Sequence, residues 1–126
     1  MRTVELTQFL TQRFNLPPIL FPNVLPDTDQ TVTGVFIYGS TQSDYVPRGI
    51  LQYQFLTKSP SKEAAECMSS DLLIAIDQIK HTAFPCQIGQ DRIEGISLMQ
   101  YEPIYVGREK EAYLFSFNLR VFVASL

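Results

Sequence analysis

The stretch Tyr113–Ala124, YLFSFNLRVFVA, decides the fold. Its residues alternate. Tyr113, Phe115, Phe117, Leu119, Val121 and Val123 fall on one side, and Leu114, Ser116, Asn118, Arg120 and Phe122 on the other. Successive side chains of a strand point to opposite faces, so this pattern predicts a long strand with one strongly apolar face. Working backwards, VGREKEA is a polar turn, and Ile93–Val106 predicts a partner strand, interrupted near Pro103. Further upstream, RGILQYQFLTK (48–58) alternates in the same way, with Leu51, Tyr53 and Phe55 opposed by Gln52 and Gln54. TVTGVFIYG (31–39) precedes it across a polar loop, which predicts a long-looped antiparallel hairpin.

Two helices complete the pattern. Ser59 and Pro60 are placed to start the longer one. Ala65, Met68, Leu72, Ile76 and Ile79 then recur at helical spacing, with Lys80 and His81 at the end where positive charge is favoured. Thr3–Phe14 predicts a shorter helix, with Leu6, Phe9, Leu10 and Phe14 on one side. The fold class expected is therefore α+β, in the order helix, hairpin, long helix, hairpin, with a mainly antiparallel four-stranded sheet packed against helices. The polar face of that sheet, carrying Gln52, Gln54, Ser116, Asn118 and Arg120, is left to water or a partner.

Residues 15–30, NLPPILFPNVLPDTDQ, hold four prolines among apolar residues. Prolines forbid a helix or a central strand there. An apolar extended arm must lie on something, either its own core or a neighbouring subunit.

The length of 126 residues suits one domain. Hydrophobic residues make up 45%, which argues against disorder. The net charge of −3, with basic residues scattered singly, offers no patch for gripping nucleic acid. The amino-terminal stretch has no apolar signal segment, and no run is long enough to span a bilayer, so a soluble protein is expected. Cys67 and Cys86 match no zinc spacing, and a single histidine, His81, rules out a histidine-based metal cluster. Glycines are isolated, so no phosphate-cradling loop is present. His81 and Cys86 lie five residues apart without a catalytic signature around them. No cofactor and no enzymatic activity are expected.

The terminal strand is long, apolar and carries one charge, Arg120. Such a strand is hazardous if its edge stays open, so it must lie in mid-sheet or pair with a neighbour. Contacts repeated head to tail around an axis close a ring.

Two stretches resemble a known family. GVFIYGSTQSDYVPRGILQYQFLTKSPSKEAAECMSSDLLIAI (34–76) is similar to the first hairpin and main helix of the tail terminator proteins of long-tailed bacteriophages, sometimes called minor capsid proteins. PIYVGREKEAYLFSFNLRVFV (103–123) is similar to their last hairpin. The Pro-rich arm at 17–26 departs from the family pattern. The resemblance implies a virion protein at the head-proximal end of the tail, assembled in the host bacterial cytoplasm. It further implies a ring, typically of six subunits, that caps the tail tube and ends its polymerisation. Its partners would be copies of itself, the tail tube protein, a head completion protein, and double-stranded DNA passing through the lumen without specific binding. Contact residues are expected on the arm (Ile19, Phe21, Leu25), in the loop before the second strand (Asp44, Tyr45, Arg48), in the last turn (Arg108, Lys110, Glu111) and at Arg120. A head–tail completion or tube-like virion protein is the alternative, followed by a small ligand-binding or enzymatic domain.

Overall fold

The computed structural model describes residues 1–13, 20–42 and 49–124. Among them the chain forms helix α1 (Thr3–Arg13), strands β1 (Leu20–Pro22), β2 (Val32–Gln42) and β3 (Gly49–Ser59), helix α2 (Lys62–Ile79), and strands β4 (Cys86–Ile88), β5 (Asp91–Leu98), β6 (Ile104–Glu109) and β7 (Ala112–Val123).

The α+β expectation of a four-stranded sheet on helices is overturned. The molecule is mostly β, built on one curled seven-stranded sheet in the order β1-β2-β3-β7-β5-β4, with β6 also on β7. The sheet is mixed, because β1 pairs with β2 in parallel and the other pairings are antiparallel. Strands β1 and β4 are three residues each, too short to show a period. β1 draws on the Pro-rich arm. An edge strand needs few donors, so proline is tolerated there.

The two long alternating stretches behave as their pattern requires. β3 and β7 pair over their full length, from Gly49 opposite Val123 to Ser59 opposite Tyr113. Phe55 and Phe117 face each other and stack, with ring centroids 4.9 Å apart. Tyr53, Phe55, Phe117, Leu119, Val121 and Val123 are all buried. α2 lies across β3 and β7 and adds Leu72, Leu73, Ile76 and Ile79 to the same core. α1 contributes Leu6, Phe9 and Leu10, and touches β1 and β2 at one end of the sheet and β4 at the other. That double contact is what the curl provides: the sheet bends round far enough for one short helix to meet both of its ends.

α2 starts two residues later than the sequence suggests. Ser59 is the last residue of β3, where its hydroxyl pairs with that of Thr31 at 2.7 Å and accepts the Ser61 N–H. Ser61 is the cap of α2, its Oγ accepting from Ala64 N at 3.2 Å. At α1 the Arg2 carbonyl accepts the first helical bonds, while Arg2 N–H donates to Glu5 Oε1 at 2.8 Å and so holds that carboxyl below its ordinary range.

The predicted strand 93–106 is two strands. β5 pairs with the second half of β7 and β6 with its first half, on the same side. In the gap, Met99 N–H donates to the Asn118 carbonyl, and the Gln100 side-chain oxygen accepts the Asn118 N–H at 2.8 Å. A side chain thus fills the ladder position that Pro103 and its neighbours vacate.

Candidate assembly surface

The arm docks on its own sheet. Phe21 stands opposite Gly34, and Asn23, at φ 63, donates its N–H to the Val35 carbonyl at 2.8 Å. The chain then crosses β2 so closely that a Cβ on Gly34 would lie 2.6 Å from the Val24 carbonyl oxygen. Only glycine admits this crossing. The described start of the arm, residues 20–24, therefore lies on β2 of its own protomer.

Beyond the crossing, the arm faces the β6–β7 turn across a groove of about 800 Å³. Leu25, Pro60 and Leu114 supply apolar lining, and Asp27, Asp29, Glu109 and Glu111 stand against Lys58 and Lys110. Lys110 turns the chain at φ 55, and the Arg108 guanidinium sits 5.1 Å from the Tyr113 ring centre. The fold thus brings together three of the proposed contact residues, Leu25, Lys110 and Glu111, from positions about 85 residues apart in sequence. Phe21 is half-buried in β1, and Arg120 is exposed on the opposite sheet face beside Gln52 of β3. Ile19, Asp44, Tyr45 and Arg48 lie outside the described residues.

The most conspicuous apolar surface was not among the proposed contacts. Ile104 and Val106 of β6 are 50% and 52% exposed, and Tyr105 is 45% exposed between them. Tyr101, just before, is 99% exposed. Across the sheet, Ile37 and Tyr38 of β2 are 46% and 47% exposed, and Tyr38 Oη donates to Met99 Sδ at 3.3 Å. The sequence hides this because IYV after Pro103 reads as the continuation of a buried strand. The usable signal was three consecutive apolar residues without alternation, next to a proline.

Among the described residues no group of histidine, cysteine and acidic side chains could hold a metal ion, and no helix is long and apolar enough to cross a membrane. Burial pushes the Cys86 thiol up, only partly countered by Arg13 and Arg92. That is the wrong direction for an activated nucleophile. Cys67 and Cys86 are both free.

No family model matches this chain, and no curated protein matches it. Its fold is similar to that of a chain in a solved structure described as the virion of a native gene transfer agent particle. The TM-score is 0.58 at 11% identity, over 90% of this chain and 83% of that one. At such identity the likeness is one of fold.

Proposed function

We propose that this chain is a structural protein of a phage-like virion, without enzymatic activity, that forms a ring on the end of the tail tube. In that position it ends tube polymerisation and joins the tail to the head completion complex. The observation that carries the reading is the fold likeness to a chain of a gene transfer agent virion over nine-tenths of the length. The tail position rests on the resemblance of 34–76 and 103–123 to tail terminators. The apolar β6 edge and the acid-lined groove supply surfaces for neighbours. A net charge of −3 suits a lumen that lets DNA slide, since a basic wall would hold phosphates.

Electron microscopy of particles made without this protein tests the assignment. Over-long tubes and detached heads are expected. Tails of normal length without heads would favour the alternative, a head–tail completion protein. Failure to form any tube would favour a tube-like subunit.

A further inference from the structure

Among the described residues, β6 and β2 are two of the sheet's partly covered edges. On one side β6 pairs with β7 and presents its other edge to solvent. On the other side β1 pairs with β2 at Thr33, Gly34 and Val35, so among the described residues β2 has no strand beside it on that side from Phe36 onward. Both open stretches carry exposed apolar side chains: Ile104, Tyr105 and Val106 on β6, Ile37 and Tyr38 on β2. Unpaired edges with apolar side chains are templates for another strand.

Direction and register fit the two edges to each other. β2 is antiparallel to β3 and β3 to β7, so β2 runs with β7, whereas β6 runs against it. A second copy in the same orientation therefore offers its β2 antiparallel to β6. Tyr105 stands in the row of Phe115, and Ile37, opposite Tyr53, stands in the row of Leu119. The neighbour must then shift by four residues along β7, roughly 13 Å at strand rise. Repeated steps of this kind close when strands are inclined to the axis, as in a barrel. Pairing two β6 edges about a two-fold axis would leave both β2 edges open.

We infer that the apolar half of β6, Ile104–Gly107, pairs with β2 beyond Val35 of a second copy of this chain, joining subunits head to tail through one continuous sheet. This rests on the ring reading above and names its interface.

Cysteine cross-linking tests it. In a Cys67→Ser, Cys86→Ser background, Tyr105→Cys protein is mixed with Ile37→Cys protein under mild oxidation. Both positions lie on the helix side of the sheet. Covalent dimers are expected in the mixture and not in either protein alone. Because a cysteine pair can miss its geometry, Ile104→Lys and Val106→Lys are followed in parallel by solution mass. Each is expected to weaken self-association at least tenfold, roughly the effect of 1.4 kcal/mol on an equilibrium. Ile74→Lys, on the outer side of α2, is expected to leave it unchanged. Dimers from Tyr105→Cys alone would replace the proposal with two-fold pairing of β6. Oligomers that ignore the lysines and give no mixed cross-link would sink the interface while sparing the ring. A wild-type protein that stays monomeric at high concentration would remove both.

Discussion

Tyr53 sits fully inside the core, and its hydroxyl has no hydrogen-bond partner among the described residues. Burial, with a smaller push from the Glu5 carboxylate, raises its pKa from 10.0 to about 12. Removing an unpaired buried hydroxyl spares its desolvation cost, so Tyr53→Phe is expected to stabilise the protein by about 1 kcal/mol in urea unfolding. The pH dependence has a definite sign. A folded pKa above the unfolded one favours the protonated phenol in the fold, so this contribution is whole below pH 10 and is lost as pH rises through about 12. Alkaline melts should show Tyr53→Phe holding its stability further into that window than wild type. Gly34 is the opposite kind of residue, needed for what it lacks. With the Val24 carbonyl oxygen 2.6 Å from where a Cβ would stand, Gly34→Ala is expected to cost about 1–3 kcal/mol in the same assay. Tyr53 pointing inward was legible from the alternation of Leu51, Tyr53 and Phe55. Its unpaired hydroxyl, and the crossing at Gly34, depend on chain segments that meet only in three dimensions.

Among the elements, β7 and α2 were readable because each repeats its period over a dozen residues or more. Their ends were less so. Ser59-Pro60-Ser61 holds two candidate caps, and sequence favours the one before proline. β3 runs on to Ser59 because its hydroxyl finds Thr31, so the cap falls to Ser61. Ser61→Ala is therefore expected to lower stability by about 1 kcal/mol, measured by thermal unfolding. The split between β5 and β6 was foreshadowed by Pro103, but the Gln100 side chain that spans the gap was not. A side chain standing in for a backbone acceptor leaves no local mark. The exposed row of β6 escaped notice for a related reason: apolar residues at a free edge look the same in sequence as apolar residues in a core.

For the whole molecule, the order of the long elements and the central place of β3 and β7 were legible, while the curl was not. Three-residue strands at each end carry no pattern, and the meeting of α1 with both ends is a property of the closed shape. Phe117, stacked on Phe55 at the centre, links sheet and helices. Phe117→Ala is expected to cost about 3–5 kcal/mol and to broaden the unfolding transition. Of the proposed contact residues, Leu25, Lys110 and Glu111 converge on one groove, while Arg120 lies apart on the exposed sheet face.

β7 follows the other described strands in sequence, yet β3, β5 and β6 all pair with it. Synthesis runs from the amino terminus, so none of those three is fully paired until the ribosome has made residues 112–123. β6 in particular has no fixed rim to offer before then. On the pairing proposed above, a chain still lacking residues 112–123 has no β6 edge to offer a second copy.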